Sequence, residues 1–167
     1  VEFNEKQEHD WYDECLKNHN GTSKGLNIGC GDKRIPGTIG IDRRIHESGA
    51  GGQKFVKPDQ DISGDASDLP VESGSCDYLI AGHIAEHLVD LCLTLKEWDR
   101  VLKPGGRLYM TIPDNNKLPT MILDHTHVHA FTPESMRSLL DTTGWQVDEI
   151  AEQGGGSFGV KATKREA

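Results

Sequence analysis

Hydrophobic positions in this chain alternate between short apolar runs and one long helical stripe. Leu26, Asn27 and Ile28 run into Gly29-Cys30-Gly31 and read as a buried strand ending in a tight loop. Residues 38–42 make a second short strand with Asp42 at its carboxyl end, and residues 61–65 a third ending at Asp65. Residues 77–81 are almost continuously apolar, as a strand covered on both faces should be. Between the second and third strands, residues 47–57 are glycine-rich and read as loop.

The pattern then changes period. Leu88, Leu91, Leu95, Trp98 and Leu102 form one apolar stripe at helical spacing, with Asp90, Glu97, Asp99 and Arg100 on other faces. Pro104-Gly105-Gly106 should end that helix, and residues 107–112 alternate as a strand closed by Pro113. Thr132 is a suitable N-cap for a further helix, with Pro133 and Glu134 in its first turn, Met136, Leu139 and Leu140 on its buried face, and Gly144 just past its end. Residues 145–150 and 157–163 form two last strands joined through Gly154-Gly155-Gly156. Alternating strands and helices with a two-strand ending predict an α/β fold, mostly parallel, with one antiparallel edge strand.

Composition narrows the class. The 167 residues suit one domain spanning the chain, with residues 1–23 as a partly helical N-terminal extension. The 27 acidic and 18 basic side chains leave a formal charge of −9. That balance disfavours nucleic acid, whose binding needs Lys and Arg to displace counterions. No apolar run approaches the ~20 residues of a membrane span, and residues 1–10 are polar and acidic rather than leader-like. Cys15, Cys30, Cys76 and Cys92 are widely spaced without a metal-binding rhythm, and Cys76 and Cys92 adjoin apolar runs as small core residues would. A reduced, cytoplasmic protein is the expectation.

Ligands of open α/β sheets bind beyond the carboxyl ends of the strands. Gly29, Cys30, Gly31, Asp42, Asp65 and Gly82-His83 all fall on that rim. The glycines admit close backbone approach, an acid after the second strand can accept both hydroxyls of a ribose, and Asp65 can accept an adenine amino group. An adenosine-containing ligand follows. A dinucleotide in an oxidoreductase is the rival, but it needs a helix N-terminus facing its pyrophosphate. Only residues 32–38, with Pro36-Gly37 among them, separate the glycine loop from the second strand, too few for a full helix of about ten residues. A ligand with no phosphate and a sulfonium charge, S-adenosylmethionine, fits better.

The motifs Leu26 to Asp32, Gly40-Ile41-Asp42, Gly64 to Pro70, Ser75 to Tyr78 and Val101 to Gly106 occur in order. In this the chain resembles the class I S-adenosylmethionine-dependent methyltransferases, in particular the small type 11 group, from about residue 24 to residue 163. The resemblance implies a Rossmann-like sheet with a reduced helix after the glycine loop. It also implies that Gly29, Cys30 and Gly31 line the methionine part, Asp42 binds the ribose, Asp65 and Ala66 flank the adenine, and Gly82 and His83 lie under the sulfonium. Asn27 stands where the family usually carries Asp or Glu toward the methionine amino group. Short Pro-Gly versions of this loop occur in a similar subgroup linked to cell-surface glycan pathways, so the expected acceptor is a small molecule or sugar intermediate. A non-catalytic cofactor-binding module within a complex is the alternative.

Histidines supply the remaining chemistry. His83 and His87 would share a face if helical, but Glu86 lies one place later than in a zinc-binding HExxH helix, and packing at a strand–helix junction explains the pair equally well. His125, His127 and His129 alternate after Asp124 and would share a face in extended chain, where they could hold a divalent ion, close over the acceptor or stand as a polar loop. No metal is assigned. His83, His87 and His129 are the candidate bases, needed only if the acceptor must lose a proton.

Overall fold

The computed structural model describes residues 5–32, 34–43 and 60–165; the glycine-rich stretch 47–57 lies outside them. Helix α1 (Glu5–Leu16) precedes strands β1 (Gly25–Ile28), β2 (Ile39–Asp42), β3 (Ile62–Ser63) and β4 (Cys76–Gly82). Helix α2 (Leu91–Val101) leads directly into β5 (Leu102–Pro113). Short α3 (Thr120–Leu123), then α4 (Pro133–Thr142), β6 (Trp145–Gln153) and β7 (Ser157–Lys164) complete the chain. The sheet runs β3-β2-β1-β4-β5-β7-β6. It is parallel through β5, and β7 pairs antiparallel with both β5 and β6. The antiparallel strand is thus last in sequence but second from the edge in space.

The strands bury what their sequences lead one to expect. All four residues of β1 are buried at the centre of the sheet. From β4 and β5, Leu79, Ala81, Leu108 and Met110 face α2 and α4, packing with Leu95, Trp98, Met136 and Leu140. Tyr78, Ile80 and Tyr109 face the other way and pack with Tyr12 and Cys15 of α1. Gly82 lets α1 come close: a side chain there would meet the Tyr12 hydroxyl at 2.9 Å and Glu8 Oε1 at 3.1 Å.

Some boundaries differ from expectation for clear reasons. Helix α2 begins at Leu91, not Leu88, because Asp90 caps it by accepting the Leu93 amide at 2.9 Å. Pro104-Gly105-Gly106 does not separate helix from strand. Cys76 pairs with Leu102 and Tyr78 with Arg107, so the intervening residues bulge out of β5, with Gly105 at φ 71°. Thr132 and Ser135 form a reciprocal capping box at α4, and Gly144 follows that helix at φ 92°. Cys76 is buried but Cys92 is exposed on α2, off its apolar stripe, and all four cysteines are free thiols. Among the described residues no helix is long and apolar enough to cross a membrane.

Candidate active site

A cleft of about 830 Å³ opens beyond the carboxyl ends of β1, β2 and β4. Gly29 and Gly31 form one wall at φ 64° and 56°, backbone that side chains rarely adopt. A Cβ on Gly29 would sit 2.4 Å from Ile84 Cδ1. Asp42, only 5% exposed, fixes this loop by accepting the Gly31 amide at 3.0 Å. No helix follows among the described residues of the loop; instead Asn27 Oδ1 accepts the Ile35 amide at 2.9 Å and folds the short connection back on β1.

Asp65, Ala66 and Ser67 continue the same wall. Asp65 accepts the Ser67 amide and hydroxyl at 2.9 and 2.7 Å, and these bonds hold its carboxyl below the usual range. The turn hangs on α2. Trp98 Nε1 donates to the Ala66 carbonyl at 3.0 Å, Glu97 accepts the Leu69 amide at 2.7 Å, and Arg100 donates to the Leu69 and Val71 carbonyls at 3.1 Å. Glu97 and Arg100, which the sequence places on faces away from the core stripe, are the clamp that positions this wall.

The opposite end is built from turns. His83 and His87 do not share a helix face: His83 stands at φ 49°, the one described non-glycine residue in the left-handed region, and a 3-10 turn (Ala85–His87) follows. His83 lies 3.5 Å from Glu86 Oε1 through Nδ1 and 3.8 Å from Glu8 Oε1 through Nε2. Burial works against charge on this imidazole, but Glu86 and Glu8 outweigh it and hold the pKa above its ordinary value. The segment after α3 folds against this turn. The Val128 and His129 amides both donate to the Glu86 carbonyl, at 2.8 and 3.2 Å. A turn at residues 125–126 breaks the alternation, so His125, His127 and His129 do not share one face. His125 is exposed, His129 Nε2 bonds the Leu88 carbonyl at 2.9 Å, and His127 enters the cleft.

The cleft thus brings together Gly29, Gly31, Asp42, Asp65, Ala66, His83 and His87. Asn27, Cys30, Gly82 and His129 do not line it, the first shaping the loop from beneath and Gly82 seating α1. Glu86 and His127 line it as well, together with Asp124 and the apolar Leu88, Val89, Leu93, Leu118 and Leu123.

Comparison with known proteins gives the family and supports the fold. Residues 26–110, 85 of the 167, match the family described as Methyltransferase domain, the type 11 group. The chain belongs to that S-adenosylmethionine-dependent family. A demethylmenaquinone methyltransferase of Staphylococcus saprophyticus is 33% identical over 118 residues, covering 62% of this chain and 51% of the relative. The chain therefore spans about half the length of that curated relative. Its fold matches a S-adenosylmethionine-dependent methyltransferase of Methanosarcina mazei with a TM-score of 0.69 at 20% identity, covering 92% of this chain and 98% of that one. It also matches a chain from the Haloferax volcanii complex of a methyltransferase with its Trm112 activator, with a TM-score of 0.74 at 15% identity over 96% and 91% of the two chains.

Proposed function

We propose that this chain transfers the methyl group of S-adenosylmethionine to a small-molecule or glycan-type acceptor. The observation that carries the reading is one cleft with the glycine loop, Asp42 and Asp65 at one end and the His83–His87 turn at the other. On this reading Gly29 and Gly31 hold the methionine moiety, Asp42 accepts from the ribose hydroxyls, and Asp65 with Ala66 borders the adenine. The sulfonium is already activated, so the chain acts mainly by aligning the acceptor with the methyl group for in-line displacement and by excluding water. His83 is the cleft imidazole placed to take a proton from an acceptor hydroxyl. His129, which bonds the Leu88 carbonyl and does not line the cleft, is not.

Calorimetric titration tests the reading. Binding of S-adenosylhomocysteine in the micromolar range with no binding of NAD(H) supports it, and the reverse overturns it. A second reading, a cofactor-binding module working within a complex, is favoured by the exposed apolar residues Val89, Ile122 and Leu123 near the mouth. Methyl transfer by the isolated chain to any acceptor would remove that reading.

A further inference from the structure

The acceptor end holds an arrangement that packing alone leaves unbalanced. Glu86 is 2% exposed, and among the described residues neither of its carboxylate oxygens accepts a hydrogen bond. A buried carboxylate without donors is costly unless a cation faces it. His83 faces it through Nδ1 at 3.5 Å, and so do two further imidazoles whose orientation is fixed from behind. His127 Nδ1 lies 3.0 Å from the Thr120 carbonyl, which can only accept, so Nδ1 carries the proton and Nε2 the lone pair. The Thr126 hydroxyl donates to Asp124 Oδ1 at 2.7 Å and so receives from His87 Nδ1 at 3.0 Å, with the Thr126 carbonyl also 3.3 Å from that nitrogen. His87 therefore also presents its lone pair at Nε2. Two lone pairs and the buried carboxylate converge, and one ligand atom from each of Glu86, His87 and His127 lies within 4.8 Å of the others.

We infer that Glu86, His87 and His127 form a binding site for a divalent transition-metal ion, zinc-like in its preference for imidazole and carboxylate donors. Imidazoles anchored through Nδ1 to carbonyl or hydroxyl oxygens are the usual support for such ligands. Donors around one such ion stand about 3–4 Å apart, so binding draws these in by about an ångström. Asp124 Oδ2, 3.9 Å from His127 Nε2, adds a second negative charge beside the ion. With Glu86 it balances a dication, so the ion need not repel a sulfonium in the same cleft. The backbone bonds from Val128 and His129 to Glu86 hold the two ligand segments together before any ion arrives. Three protein ligands leave a coordination position open for an acceptor hydroxyl, which the ion would acidify. That use rests on the methyl-transfer reading; binding of the ion does not.

The test therefore omits the cofactor. The chain, stripped with a chelator, is titrated with Zn²⁺ by calorimetry and with Co²⁺ by visible absorption. One equivalent should bind, with a Co²⁺ spectrum of nitrogen and oxygen ligation. His87→Ala and His127→Ala should each weaken binding roughly 100-fold, Thr126→Val about tenfold, and His129→Ala hardly at all. Glu86→Gln separates ligation from structure. It should weaken Zn²⁺ binding at least tenfold while the metal-free chain still melts cooperatively, and parent-like Zn²⁺ affinity in the folded variant would overturn Glu86 as a ligand. Should an alanine variant fail to fold, His127→Gln is read in its place. No binding of either ion by the parent chain, or equal binding by the His87 and His127 variants, overturns the site. Titration with S-adenosylhomocysteine on the same samples shows separately whether the methyl-transfer reading stands.

Discussion

The end of the cleft proposed for the cofactor is made largely of backbone, the end proposed for the acceptor of side chains. At the first, Gly29 and Gly31 expose main chain, and buried partners hold it from behind: Asp42 on the Gly31 amide, Trp98 on the Ala66 carbonyl. At the second, imidazoles and a carboxylate enter from two turns that meet only in the folded chain. Backbone recognition tolerates change in most side chains but not in the glycines and anchors. A side-chain site can be retuned one residue at a time, which suits the end that has to recognise an acceptor.

The sharpest way to break this division is Trp98→Ala. It removes a fully buried indole and the bond holding the Ala66 carbonyl, and should cost about 3–5 kcal/mol of stability in denaturant unfolding. A loss below about 1 kcal/mol would mean that the adenine-side wall does not hang on α2. Asp42→Ala should lower S-adenosylhomocysteine affinity by about 1.5–3 kcal/mol, as for a hydrogen bond to a charged group, and leave the other end intact. Unchanged affinity by calorimetry would take Asp42 out of the site. At the acceptor end, His129→Ala removes the tie to the Leu88 carbonyl and should cost about 1 kcal/mol of stability with cofactor affinity unchanged. A drop in cofactor affinity would show that the two ends are coupled.

Asp77 supplies a reference far from both ends. Lys103 and the Lys24 amide, each 2.7 Å away, hold its carboxyl below the usual range. The folded-state pKa is depressed, so the contribution is present above the unfolded value near 4 and is lost as pH falls through the folded value. Asp77→Asn should flatten that part of the stability profile by no more than about 1 kcal/mol, because the pair is partly solvated. Urea midpoints measured from neutral pH down to about pH 3 would reveal it, and a parallel profile for the variant would refute it.

How much of this was legible follows the same division. Gly29, Asp42 and Asp65 could be found because each lies at or just past a strand end, and strand ends show as breaks in apolar runs. The Thr132 cap and Gly144 were legible for the same local reason. The bulge at residues 103–106 was not, since only pairing with Cys76 and Tyr78 reveals that the strand has already begun at Leu102. His127 could not be singled out from His125 and His129 by spacing. The turn at residues 125–126 and the bonds to Glu86 decide which imidazole enters the cleft, and those contacts cross some forty residues. Glu97 and Arg100 look like solvated helix charges until the loop they clamp is in place.

Gly82 has a consequence beyond the site. With no side chain there, α1 lies close enough for Tyr12 to reach Thr111 at 2.9 Å and to cover Ile80 and Tyr109. Even a methyl group at this position would press on the Tyr12 hydroxyl, Glu8 and Thr111 together and push the helix outward. The uncovered face would then be a strip of apolar sheet offered to neighbouring copies of the chain. How much apolar sheet the chain exposes, a property usually traced to surface composition, depends here on one glycine beneath a helix.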